Sequence, residues 1–541
     1  MTLVVEGNLV DVISDRIYPA RITVDSGRIV DILEVRSSFD RYILPGLIDS
    51  HVHVESSLLV PSRFAEAAVP HGVTGVISDP HEIANVLGIE GVEFMIEDGG
   101  GVPLRFHFAA PSCVPATPFE SSGAVLGPDD IELLLARDEV VALAEMMNFP
   151  GVLNDDPDVM AKINSALSRG KPVDGHAPGL SGDDLETYIL AGISTDHECT
   201  SYEEASEKAS KGMFIQVRDG SASKNMEALI GIADDHEFFL ATDDMHAGDM
   251  IGGYMDRLLR KAVGLGVEPL RAIKAASLWP SRHYKLEGGY LDFDMPADMV
   301  MVSDLRDFNV EEVYINGELV AKDGKALFEA RPKSGETAII QLDWTAGDFH
   351  ILASGDSVKA RVIEALPDQI VSLAGEADMI VDNGRILADP DNGISYLTVV
   401  NRYRSAAPAV ALVNGFSLNK GGMASTIAHD SHNIIAVAND PETLARVVKG
   451  VSVNGGYFAT DGENDVSLSL PVAGLMSTEK AEVVAAKEKE VTEFVRGLGC
   501  KLHAPFMTMG FQSLLVLPSL KLGDRGLFDS VNFQFVDVVL E

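Results

Sequence analysis

Apolar positions fall in two rhythms along this chain. Over residues 2–5, 18–24 and 29–35 they alternate with polar ones, cut by Glu6-Gly7-Asn8 and Asp25-Ser26-Gly27, the pattern of half-buried strands joined by turns. From residue 43 the rhythm changes to strand-like runs alternating with helical periodicity, as in βαβ units. The pairs are 43–54 with 61–71, 73–78 with 82–98, 104–109 with 128–137, and 140–146 with 156–169. They continue with 172–176 and 182–191, 193–197 and 202–211, 213–217 and 225–232, and 238–242 with a helical stretch reaching 260. Eight units of this kind predict a (β/α)8 barrel.

Strand character returns at 298–303, 310–315 and 319–325, with Asn316-Gly317 as a hairpin turn. Neither flank closes a core alone, so the two are expected to form one small β-sandwich bracketing the barrel. After about residue 335 a third unit begins, with strands expected at 338–343, 358–363, 396–401 and 409–413 and helices at 442–449 and 478–497. The last places Ala481, Val484, Val491 and Val495 on one face, so it packs against something. The expected fold class is α/β: a TIM-like (β/α)8 barrel at 44–284, a β-sandwich from 1–43 with 285–335, and a C-terminal α+β domain at 336–541.

Composition narrows the function. At 541 residues the chain exceeds one ordinary core, and 46% hydrophobic residues make it globular. The 82 acidic against 42 basic residues leave a net charge of −40, spread along the chain. Such a surface repels phosphate, which argues against nucleic-acid and anionic-membrane partners and fits a cytoplasm of raised salt. Cys113, Cys199 and Cys500 are too few and too scattered for a disulfide framework or a thiolate cluster. No apolar run approaches a membrane span and no secretory signal is evident, so a cytoplasmic location is expected.

Polar residues then gather where barrel chemistry lies, at the carboxyl ends of the strands. His51 and His53 fall at i and i+2, one face of a strand, and two imidazoles beside a carboxylate suit Zn, Fe, Mn or Ni better than Mg or Ca. Glu145, His176, His197 and the pair Asp243-Asp244 end four later strands. Together they supply four histidines and two carboxylates as one ligand set, with Asp244 beside it. In the third unit, His429-Asp430-Ser431-His432-Asn433 follows Gly421-Gly422; two histidines three apart could ligate metal or belong to a structural loop.

These segments carry a resemblance. Pro45-Gly46-Leu47-Ile48-Asp49-Ser50-His51-Val52-His53 is similar to the entry motif of the amidohydrolase superfamily. Ser78-Asp79-Pro80-His81-Glu82, Arg218-Asp219-Gly220-Ser221 and Ala241-Thr242-Asp243-Asp244, with the His429 segment, resemble more narrowly the adenine deaminase family over essentially the whole chain. The resemblance implies hydrolysis of adenine to hypoxanthine and ammonia, in purine salvage, by a hydroxide on a centre of two divalent ions, manganese or iron, with zinc a further candidate. It implies that His51 and His53 hold the first metal with Asp243, that Glu145 bridges, and that His176 and His197 hold the second. Many relatives in the superfamily bridge with a modified lysine; here the fourth strand offers Glu145 and no lysine.

Metal coordination lowers the pKa of water from 15.7 to about 7, which supplies the nucleophile that attack at C6 needs. Asp243 would take the proton, with Glu82 and His81 as further acid–base candidates. Asp244 would bind the ring near N7, Arg218 and Ser221 would contact substrate, and His429 and His432 would wall off the adenine pocket. For Arg218 a salt bridge to one of the many acids competes with that role. The expected partner is a small-molecule substrate in a homo-oligomer. Two alternatives stay open: a cyclic amidase of the hydantoinase or dihydroorotase type, which would call for a basic clamp, and a catalytically inactive scaffold, which loss of ligand residues would reveal.

Overall fold

The computed structural model describes residues 2–221, 223–340, 343–367, 369 and 371–540. Strands Leu47–Val52, Val73–Ser78, Arg105–Ala110, Val140–Met146 and Val173–Gly175 pair in parallel as one five-stranded sheet. Thr195–Asp196, Phe214–Arg218 and Phe238–Ala241 form a second, three-stranded parallel sheet. Parallel bridges from Val173 to Ile193 and from Val52 to Asp243 join the two arcs on both sides. The arrangement is TIM-like, with helices following the strands.

The predicted first strand is in fact two. Tyr42–Pro45 pairs with Met299–Val302 outside the barrel, and Leu47–Val52 opens the barrel itself. The break is at Gly46, where a Cβ would lie 2.0 Å from Thr74 Oγ1 and 2.8 Å from Thr74 Cβ. Only glycine lets the chain pass the second barrel strand so closely.

The flanks do join, but not as a two-sheet sandwich. Hydrogen bonds run unbroken through one eight-stranded sheet, in which the block of N-terminal strands meets the block of strands after residue 298 where Tyr42–Pro45 pairs with Met299–Val302. Its alternation explains why no second sheet is needed. Met299 and Met301 enter a small core with Val5, Ile22 and Ile43, whereas Val300 and Val302 join the main core shared with the barrel.

The C-terminal unit is built on a nine-stranded mixed sheet. Ser357–Ala365, Ile394–Val400 and Ala409–Asn414 answer the expected strands, and Pro441–Val451 and Ala481–Gly497 the expected helices. Residues 338–340 are irregular, and 341 and 342 of that expected strand lie outside the described residues. In Ile434–Ala438 alternate residues part: Ile435 and Val437 face the main core, while Ile434, Ala436 and Ala438 pack with Leu444, Val447 and Val448 of the helix Pro441–Val451. Both faces of this strand are buried, which is why it reads as a continuous apolar run. In Ala481–Gly497 the buried residues are Ala481, Val484, Val491 and Val495, the stripe expected from their spacing. Among the described residues no helix is long and apolar enough to cross a membrane.

Replacing Gly46 with alanine forces the strand off Thr74 and is expected to cost about 1–3 kcal/mol, the range for overpacking a tight core. Thermal unfolding of Gly46→Ala checks it; Gly46→Ala with Thr74→Gly should recover part of the loss, because Thr74 supplies the clash.

Candidate active site

The strand ends deliver their side chains to one point. His51 lies on the first barrel strand and His53 one residue beyond it, Glu145 on the fourth, and His176, His197 and Asp243 just past the fifth, sixth and eighth. Asp243 takes a left-handed backbone (φ 58°), and its amide and carbonyl bond His51 O and the His53 amide. That exchange closes the barrel and turns the Asp243 carboxylate onto the two rings.

Glu145 stands between two sets of imidazoles. Its Oε1 is 3.4 Å from His53 Nε2, and its Oε2 is 2.5 Å from His176 Nδ1 and 3.2 Å from His197 Nε2. Asp243 Oδ1 lies 3.2 Å from His53 Nε2 and 3.5 Å from His51 Nε2. The His51 and His197 rings stack with centroids 4.2 Å apart, so the two halves are contiguous. His53 Nδ1 donates to Asp79 O at 3.1 Å, which turns Nε2 toward the carboxylates.

The donor set fits divalent metal. His51, His53 and Asp243, and likewise His51, Glu145 and His197, bring their ligand atoms within 4.8 Å of one another, all buried. Among the described residues, His51 Nε2 and His197 Nδ1 are buried with no hydrogen-bond partner. For His51 such a vacancy is costly unless a ligand fills it. Imidazole nitrogens with carboxylate oxygens suit transition metals.

Electrostatics follow from burial against close opposite charge. Burial opposes ionisation of Glu145, yet His176 and His197 hold its carboxyl well below the usual range. Burial likewise opposes charge on Asp243, and Arg218, His51 and His53 overcome it. Burial works against protonating His176, but Glu145 and Glu198 raise it to about 9.

A pocket opens beside this cluster, and its roof comes from the C-terminal unit. Glu55, Glu82, Asp244 and His246 line it from the barrel; His429, His432, Tyr457 and Phe511 line it from above. His429 Nδ1 donates to Glu82 Oε1 at 3.0 Å, and His432 Nε2 donates to Glu82 Oε2. The Ala428 amide donates to His432 Nδ1, which fixes the neutral tautomer with its proton on Nε2. Burial keeps His432 neutral, its pKa down at about 4, whereas the Glu82 carboxylate overcomes burial at His429 and raises it to about 9. Neither lysine nor arginine lines the pocket among the described residues.

The chain matches the amidohydrolase family over residues 42–320 and the adenine deaminase C-terminal domain over 369–534. It is 48% identical to an adenine deaminase of Salinibacter ruber, over 98% of each chain. An adenine deaminase of Methanothermobacter thermautotrophicus is 46% identical over 99% of each, and one of Methanosarcina mazei 44% identical over 98% of each. This chain belongs to the adenine deaminase family. The family's C-terminal domain is thus the unit that roofs the pocket.

Two expected substrate contacts are otherwise engaged. Arg218 Nη1 donates to both Glu198 and Asp243 at 2.5 Å, so the salt-bridge reading prevails over a free substrate clamp. Ser221 donates to Asp249 Oδ2 at 2.6 Å and does not line the pocket. His81 sits deeper than its acid–base role implied, bonded to Asp79 Oδ2 at 3.1 Å and 3.5 Å from Glu145 Oε1, in a cluster with His53. Asp244 lines the pocket and accepts from Ser56 Oγ at 2.6 Å. Sequence reasoning missed Asp79 and Glu198 as site residues, although each adjoins a quoted strand end. It also missed His246, which lines the pocket and pairs with Glu488 at 2.7 Å.

The Glu82–His429 pair predicts a pH dependence. His429 is raised from 6.5 to about 9, so its contribution to stability is full below 6.5 and is lost as pH rises through about 9. The melting-temperature gap between metal-free parent and His429→Gln should therefore be widest near about pH 6. It should shrink by about pH 10, an effect on the order of 3 kcal/mol.

Proposed function

We propose that this protein hydrolyses adenine to hypoxanthine and ammonia at a centre of two divalent transition-metal ions, in purine salvage. His51 and His53 with Asp243 would hold one ion, His176 and His197 the other, and Glu145, which lies between the two sets, would serve both. Manganese or iron suits this donor set, with zinc a further candidate. The barrel at 44–284 carries this centre, the units at 1–43 with 285–335 brace it, and 336–541 roofs it. The setting we propose is a cytoplasmic homo-oligomer, whose acidic surface fits neither nucleic acid nor anionic membrane.

One observation carries the reading: the adenine deaminase C-terminal domain reaches the barrel mouth through His429 and His432 on Glu82. A barrel alone would suit any amidohydrolase. The roof is what relates the pocket to adenine. The absence of lysine and arginine from the described lining disfavours the acidic substrates of cyclic amidases. The fourth strand, Val140–Met146, provides a glutamate and no lysine.

When bound, the ions bring water toward a pKa of about 7 and so supply a nucleophile near neutral pH. The chain's own residues do the rest. Asp243, charged and aimed into the cluster, accepts the proton of the attacking water and carries it toward the departing amine. Glu82 faces the ring from the barrel side, where its charged carboxylate takes up a proton from a ring nitrogen and returns it. Asp244 accepts from a ring N–H. His429 and His432 orient Glu82 and keep bulk water out.

The deciding experiment is ammonia release from a purine and pyrimidine panel, with manganese or iron supplied. Adenine should be turned over and adenosine not, because the pocket is closed by the C-terminal domain. His51→Ala and Glu145→Gln should lose both metal and activity; wild-type metal and activity in both would sink the proposed centre.

The roof makes a separate demand. His429→Ala with His432→Ala should lower kcat/KM at least tenfold, about 1.4 kcal/mol of transition-state stabilisation, with the fold intact by circular dichroism. Unchanged kinetics would leave the roof without a catalytic part.

A further inference from the structure

Lys208 lies in the helix Tyr202–Ser210, which follows the sixth barrel strand, yet its side chain is 0% exposed. Its ammonium donates to Ala177 O at 2.7 Å, Asp196 Oδ2 at 2.9 Å and Glu204 Oε1 at 2.8 Å. An ammonium has three protons, and all three are used.

Two of those acceptors adjoin the histidines of one half of the cluster. Ala177 follows His176, and Asp196 precedes His197. Asp196 completes the link, its Oδ1 accepting from the Ala177 amide at 2.9 Å. Glu204 extends it, accepting from the Gly179 amide at 2.8 Å and the Thr200 amide at 3.2 Å. One network, buried at Lys208, Asp196 and Ala177 and reaching the surface at Glu204, therefore ties the loop leaving the fifth strand to the loop leaving the sixth.

The histidines need such support. A metal-binding imidazole ordinarily has its second nitrogen held by a carboxylate, carbonyl or water. His53 has Asp79 O for this, but His197 Nδ1 has no partner among the described residues. Beside its stacking on His51 and the approach of its Nε2 to Glu145, the orientation of His197 depends on its backbone, and the backbone on its N-terminal side is what Asp196 and Lys208 hold.

We propose that Lys208 is a positioning residue that sets His176 against His197 and thereby the metal affinity of the half-site they form. The inference rests on the two-ion reading above and is tested apart from it. Full-length protein is stripped and titrated with Mn(II), counting bound ions and following the spin-coupled manganese signal by electron paramagnetic resonance. His197→Ala marks complete loss of the half-site. Lys208→Met is compared with Lys208→Met/Asp196→Asn, in which no unpaired carboxylate is left buried, so that folding and positioning separate.

The parent should bind two ions. Both Lys208 variants should keep the tighter one, bind the other at least tenfold more weakly, and show an isolated-ion spectrum at manganese levels that saturate the parent. A folded variant that binds both ions with parental affinity overturns the role of Lys208 alone. A parent that binds no ion dependent on His197 overturns the two-ion reading and this inference with it. Failure of both variants to fold would make Lys208 a folding residue and overturn positioning as well.

Discussion

The Glu145 carboxylate, wedged between His53 on one side and His176 and His197 on the other, is the interaction on which the site depends. A buried carboxylate without cationic or hydrogen-bonding neighbours would stay protonated or unfold its surroundings. Its neighbours come from three other strands, so the cluster exists only if the barrel closes in register. The Val52–Asp243 bridge does that closing, and it sets Asp243 at the same time. Fold closure and site assembly are here one event.

Much of this was legible in the sequence because the barrel repeats a simple alternation. Eight strand-like runs separated by helical patterns survive small errors of boundary, and every proposed metal ligand sits at or just past a strand end. What misled was local. A run from 43 to 54 reads as one strand-like unit interrupted at Pro45-Gly46; that the interruption separates two sheets comes from the close approach to Thr74, which no periodicity reveals. The two flanks read as a sandwich because alternation fixes that two faces are buried but not which element covers each. Met299–Val302 faces a small core on one side and the barrel on the other, which a single sheet can do.

Side-chain partners were harder still. Arg218 read as either a substrate contact or a salt bridge to one of many acids, and only the geometry names Glu198 and Asp243 as its partners. Glu204 and Lys208, four apart on a helix, look in sequence like a solvated surface pair worth about 0.3–0.5 kcal/mol. Burial turns the same pair into part of the barrel's interior, because Asp196 points back at it from the adjacent strand end. Such reversals occur where a charge is spent on the site rather than on solvent.

Charge also explains why barrel and roof depend on one another. Asp79, Glu82, Glu145, Glu198 and Asp243 crowd the barrel mouth, all buried or nearly so, and Arg218 is the guanidinium that reaches two of them. Histidines are neutral in water at pH 7 and offset that excess only when protonated or bound to cations. On the metal side the deficit suits divalent ions, which fill it more completely than protons. At Glu82 it is met from the C-terminal domain, where a cationic His429 and a neutral, donating His432 satisfy both oxygens of one carboxylate. Removing the roof would strip Glu82 of both imidazole donors and leave it His81 Nε2 at 3.6 Å, so the domain that encloses the substrate also holds the barrel's own acid in its charged form.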